Sequence, residues 1–184
     1  MATCLSITEL LSAQNCGEDL IAGISKLYMI AYQDLKALTG TPFPYSQATG
    51  GVISAIGLQT GKHFVEIGLL KDTTGLNVTG VFNENGTRYK TVDLAVTLQG
   101  ITAENSAWVD NVSGQEIAVI VLDKSGVYYT AGLRGNLKMN GYTGGLGTAP
   151  SDDKGFKLTF QSNDAFGIKL LAQDGADDAI APIA

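Results

Sequence analysis

Between residues 87 and 99 the chain alternates with a period of two. Val92, Leu94, Val96 and Leu98 fall on one face, and Thr91, Asp93, Ala95 and Thr97 on the other. This predicts a strand with one face on a core and a flat, polar face turned away from it. The apolar stretch 76–82 precedes it, and Asn83, Glu84, Asn85 and Gly86 join the two as a hairpin, because Asn and Gly tolerate positive φ. Near the end of the chain Phe156, Leu158 and Phe160 alternate with Lys157, Thr159 and Gln161, which predicts another half-buried strand. The run 117–122 is different. It is unbroken, rich in β-branched residues and bounded by Asp123 and Gly126, so it predicts a strand buried on both faces.

Weaker signals fill in the remainder. Residues 23–32 have the aromatic and apolar density of a strand, and Pro42 and Pro44 mark 33–50 as a loop. Segments 50–59 and 62–71 read as a second hairpin about Thr60 and Gly61. Thr102 suits the N-cap of a helix over 102–112, with Glu104 at its positive end, Ala103, Ala107, Trp108 and Val112 as its apolar stripe, and Gly114 at its exit. Five glycines and Pro150 make 135–153 a mobile excursion. Residues 1–22 read as an arm, 23–171 as one β domain and 172–184 as a flexible acidic tail. The expected fold is mainly β: two packed antiparallel sheets, a sandwich or rolled barrel, with one flanking α-helix.

Composition narrows the functional classes. The chain has 184 residues, 45% of them hydrophobic, which is enough for a core. A net charge of −6, with Arg88 and Arg134 as the only arginines, argues against a basic groove for nucleic acid. Cys4 and Cys16 lack zinc-site spacing, and no apolar run approaches membrane-spanning length. The N-terminal MATCLSITELL lacks a basic region followed by a longer apolar stretch, so export through a signal peptide is not expected.

Candidate chemistry is sparse. The segment 57–63, GLQTGKH, is one residue short of a phosphate-binding loop and places His63 where Ser or Thr would bind magnesium. Residues 145–150 end in proline where a dinucleotide fingerprint needs glycine. His63 is the sole histidine, and no serine occupies a nucleophile elbow. The aspartates at 152, 153, 174, 177 and 178 lack calcium-loop spacing. Glu66, Glu84, Asp93 and Glu116 are the carboxylates from which a glycosidase pair would be drawn. The expectation is a protein without catalytic residues, metal or cofactor.

The order of parts resembles a known family. NCGEDLIAGISKLYMIAYQDL at 15–35, the strand pair of 50–71, the hairpin through TRYKTVDLAVTL, the helix at 102–112, IAVIVLDKSGVYYTAGL and the closing GFKLTFQSND are similar to tail tube proteins of bacteriophages, the major tail protein family, and among them to those of phages infecting Bacteroidetes. The resemblance implies hexameric rings that stack into a hollow tube, a continuous inner β-barrel and no catalysis. DNA would pass through the lumen without specific binding. Further partners would be other tail proteins, such as a baseplate, a terminator and a sheath in a contractile tail, and the protein would reside in the virion after assembly in the host cytoplasm, with no membrane partner.

On that reading Glu66 and Asp93 are candidate lumen carboxylates. Pro42 and Pro44 in the loop 37–50, Gly144, Gly145 and Gly147 in the excursion, and the arm 1–22 are candidates for ring stacking or subunit contact. A β-sandwich binding module for carbohydrate or a receptor is the competing class, with Tyr128, Tyr129 and Tyr142 as its possible surface set. A neck, baseplate or terminator ring protein would share the same fold.

Overall fold

The computed structural model describes residues 23–48, 50–70, 73–146 and 154–180, and in these the chain is mainly β. The first half contains β1 (Ile24–Ala31), β2 (Tyr45–Gln47), β3 (Ile53–Ile56), β4 (Val65–Ile67), β5 (Gly75–Phe82) and β6 (Arg88–Gln99). Helix α1 (Ala103–Ser113) leads into β7 (Ile117–Asp123), β8 (Tyr128–Ala131), β9 (Lys138–Gly145), β10 (Gly155–Asp164) and β11 (Lys169–Leu171), and α2 (Gln173–Ile180) follows. One sheet has seven strands in the order β2-β3-β11-β8-β7-β1-β4, and the other has four in the order β5-β6-β10-β9.

The two sheets pack face to face. Val92, Leu94, Val96 and Leu98 of β6 and Phe156, Leu158 and Phe160 of β10 meet Leu27, Met29, Ile117, Val119 and Val121 from the larger sheet. The alternation in β6 and β10 therefore places their side chains as expected. β7 is buried on both faces, because Ala118 and Ile120 point the other way into a second core with Tyr28, Ile53, Phe64, Leu133, Phe166 and Leu171. Covering 1.5 to 3 kcal/mol of side-chain burial per large apolar residue, roughly, on each side, this strand anchors both layers.

Several expectations are corrected. The segment 172–184 is not a loose tail over its described part: α2 caps the second core through Ala176 and Ala179, and Phe64 N–H donates to the carbonyl of Ala179 at 3.1 Å. The described residues thus contain two α-helices. Strands β3 and β4 form no hairpin, since β11, β8, β7 and β1 lie between them in the seven-stranded sheet. The sheets are not wholly antiparallel, because β11 runs parallel to β3.

A further correction concerns the glycine-rich excursion, much of which is β9. There Gly141, Tyr142, Thr143, Gly144 and Gly145 pair in register with β10. The 33–50 loop likewise contains β2, which starts directly after Pro44 and pairs with β3. The arm 1–22, Gly147 and residues 181–184 lie outside the described residues.

Helix α1 starts as the sequence predicts, with the Thr102 hydroxyl accepting from Asn105 N–H at 3.1 Å. Its packing face is shifted. Val109 is the buried residue, flanked by partly buried Trp108 and Val112, while Ala103 and Ala107 are exposed. At the exit Gly114 has φ −98°, so no left-handed cap is required there.

Candidate functional site

The outer face of the four-stranded sheet is the most distinctive surface. Its period-two residues form cross-strand rows, of which only Thr97 is buried: Thr143, Lys157 and Thr97; Gly141, Thr159 and Ala95; Gln161, Asp93 and Asn77; Asn163, Thr91 and Thr79. Side chains along these rows bond to one another. Gln161 Nε2 donates to Asp93 Oδ1 at 2.8 Å, Thr91 Oγ1 donates to Asn163 Oδ1 at 2.8 Å, and Thr159 Oγ1 donates to the Gly141 carbonyl at 3.0 Å. The result is a low, polar layer with few large apolar groups.

Both margins of this sheet are open among the described residues. β5 pairs with β6, and β9 pairs with β10 and, at Lys138 alone, bridges Glu116, so its margin is open from Met139 to Gly145. An open margin carries unpaired backbone donors and acceptors, and a second strand can satisfy them. The β5–β6 hairpin also projects past the core. Its turn is held by Gly86 N–H donating to Asn83 O at 2.9 Å and Thr87 N–H donating to Asn85 Oδ1 at 3.1 Å. Near that turn Phe82 is 75% exposed, with Arg88 Cζ 5.8 Å from its ring centroid.

The two carboxylates assigned to a lumen are not brought together. Asp93 lies on the outer face of the smaller sheet. Glu66 lies on β4 opposite Tyr28, whose side chain enters the second core, so Glu66 points away from the smaller sheet. It accepts from Lys26 Nζ at 3.2 Å, and that hydrogen bond holds the Lys26 ammonium above its ordinary pKa.

The proposed contact residues also separate. Pro42 is exposed, but Pro44 is buried and its carbonyl accepts from Gly57 N–H at 2.8 Å. Gly144 and Gly145 stand at the open β9 margin, opposite Phe156 and Gly155. Of the remaining carboxylates, Glu116 pairs with Lys138 at 3.0 Å and Glu84 sits in the hairpin turn. His63 neighbours the Lys62–Asp34 ion pair, and its Nδ1 is buried without a partner.

Two features carry little sequence signal. A groove with cavities of about 580 and 420 Å³ runs between β4 and α1, lined by Val65, Ile67 and Trp108. Its lining comes from an edge strand and a helix distant in sequence. Phe43, Arg134 and Phe166 meet in a cation and aromatic cluster, although no periodicity links them. Among the described residues no three His, Cys, Asp or Glu side chains gather as a metal site, and no helix is long and apolar enough to cross a membrane. Comparison with protein-family models, curated proteins and solved structures finds no match to this chain.

Proposed function

We propose that this chain is a non-catalytic structural subunit of a bacteriophage tail tube, assembling as stacked hexameric rings around a conduit for DNA. The observation that carries this reading is the four-stranded sheet, open at β5 and β9 and polar across its outer face. Joining β5 of one copy to β9 of the next removes both open margins and closes a barrel. Six copies would contribute roughly 24 strands, wide enough for a water-filled lumen by the scaling of barrel diameter with strand number.

The chemistry of the outer face suits such a lining. Thr, Asn and Gln side chains bond to one another and present hydroxyls and amides, and the two lysines on these rows, Lys138 and Lys157, do not line up as a basic track, so a passing phosphate backbone finds little to hold it. Asp93 sets a negative charge beside these two lysines and offsets part of their attraction for phosphate. The projecting β5–β6 hairpin, with Phe82 exposed, gives one ring a means to reach another. On this reading the protein resides in the virion tail and meets other tail proteins at the ends of the tube.

Negative-stain microscopy of the purified chain tests the proposal. Rings or tubes of uniform diameter are expected. Tubes indicate the main tail tube, and single rings a neck, baseplate or terminator position. A monomer persisting up to millimolar concentration, where weak contacts of this order would be populated, overturns the reading.

A further inference from the structure

The loop between β8 and β9 is built to expose one arginine. Gly132, Gly135 and Asn136 have φ of 79°, 80° and 70°, the last uncommon for a residue with a side chain. Gly135 N–H donates to the Gly132 carbonyl at 3.1 Å, and a Cβ on Gly132 would lie 2.5 Å from the Ile117 carbonyl oxygen. These turns bury Leu133 and Leu137 completely and leave Arg134 at the surface.

Its guanidinium is then clamped. Arg134 Cζ lies 4.7 Å from the Phe43 ring centroid and 5.0 Å from that of Phe166, and Arg134 Nε donates to the Tyr45 hydroxyl at 2.9 Å. Phe43 stacks on Tyr45 at 5.4 Å and remains 38% exposed. Lys169 adds a second cation, 5.5 Å from the Phe166 centroid. The nearby Asp164 Oδ1 accepts from Phe166 N–H, and no carboxylate among the described residues forms an ion pair with Arg134.

A guanidinium has five N–H donors, and among the described residues Tyr45 takes the one on Nε. The Nη fork, placed between the Phe43 and Phe166 rings, has lost much of its rotamer freedom and binds a carboxylate at small further entropic cost. Arginine flanked by aromatic rings is also the composition of an interface anchor.

We propose that the Arg134 clamp receives a carboxylate of α2 from a second copy of this chain. Asp174, Asp177 and Asp178 are all exposed on α2, and its last turn contains no basic residue. α2 is fixed to its own molecule where Gly175 approaches Ser54 and Ala179 bonds to Phe64. Asp177 accepts from Gln173 Nε2 at 3.1 Å within the helix, and charge complementarity between the exposed α2 carboxylates and the exposed Arg134 carries the match between copies. The inference rests on the self-assembly proposed above, but not on ring geometry.

The test is sedimentation velocity across a concentration and salt series, with electron microscopy of the same samples. Arg134→Glu should weaken self-association at least roughly tenfold, as losing a desolvated charge pair does. Arg134→Lys, which keeps the charge and the fold but loses the fork, should also weaken it. Asp177→Lys with Asp178→Lys should weaken it too, and combining these with Arg134→Glu should restore much of the loss.

Rings that persist unchanged in both Arg134 variants overturn the clamp and leave the tube reading intact. Dimers without rings that dissolve in Arg134→Glu support the clamp and overturn the tube. Association unchanged by the α2 substitutions, or not restored by the combination, overturns α2 as the occupant.

Discussion

Gly144 stands directly across from Phe156, and a Cβ placed on Gly144 would come within 2.8 Å of the Phe156 ring. The glycine leaves room for the aromatic ring to cover the edge strand, an arrangement that compensates for the weak strand propensity of glycine. Gly144→Val should therefore destabilise the protein by about 1 to 3 kcal/mol through overpacking. Gly145→Val is the control, because nothing lies within 4 Å of its added Cβ, and its effect should stay within about 0.5 kcal/mol. Urea unfolding of the two variants checks the contrast.

Gly175 offers a test that turns on sign. In an exposed helix, replacing glycine by alanine usually gains about 0.4 to 1 kcal/mol. Here the added methyl would lie 2.6 Å from the Ser54 carbonyl oxygen, so Gly175→Ala should instead lose about 1 to 3 kcal/mol. A gain in stability would mean that α2 does not dock on β3.

β7 should be intolerant on both faces. Val119 faces the core between the sheets and Ile120 the core beneath α2, both fully buried. Ile120→Ala should cost about 2 to 5 kcal/mol and Val119→Ala upwards of about 1.5 kcal/mol. Thermal or urea denaturation would show two large losses at adjacent positions, whereas a strand covered on one side would show one.

Tyr28 makes the fold sensitive to alkali. Burial raises its phenol above the ordinary value of 10.0, and the nearby Glu66 charge adds to the shift. The folded chain therefore holds this proton more tightly than the unfolded chain. Its contribution is fully present below the unfolded pKa and is lost as pH rises through the folded value. Stability should be flat near neutrality and fall above about pH 10, and Tyr28→Phe should reduce that fall.

If the smaller sheet lines a conduit, the two candidate carboxylates must behave differently. Asp93→Lys places a cation on the polar outer face and should slow DNA passage in assembled particles, while Glu66→Lys, on the opposite outer face, should leave passage unchanged. Ejection kinetics measured on particles carrying each variant distinguish the two faces. Equal behaviour would count against the proposed lining.

How far the fold was legible depended on where each signal resides. β6, β7 and β10 were readable because each carries its own burial pattern, either alternation or a continuous apolar run. β9 was not, because Gly141, Gly144 and Gly145 have no side chains to alternate, and its strand character comes from β10. α2 docks through Gly175, Ala176 and Ala179, so shape rather than hydrophobic periodicity decides its place.

The turn at Thr60 and Gly61 is local, but β3 pairs backwards with β2 and with distant β11, and β4 pairs with β1, so turn chemistry alone misassigned them as a hairpin. The same limit applied to the surface. Asp93 was placed on its face by period two, whereas the Arg134 cluster draws on three distant loops and strands.

The seating of β11 has a consequence for how the protein is made. Leu171 lies beside Ile53 of β3, and Lys169, Leu170 and Leu171 pair with β8, so this short strand joins two otherwise separate groups, β2-β3 and β8-β7-β1-β4. A nascent chain cannot seal its larger sheet until residues 169–171 have emerged from the ribosome. Until then two sheet margins stay unclosed, and the smaller group waits, unpaired on one side, for β11 to be synthesised.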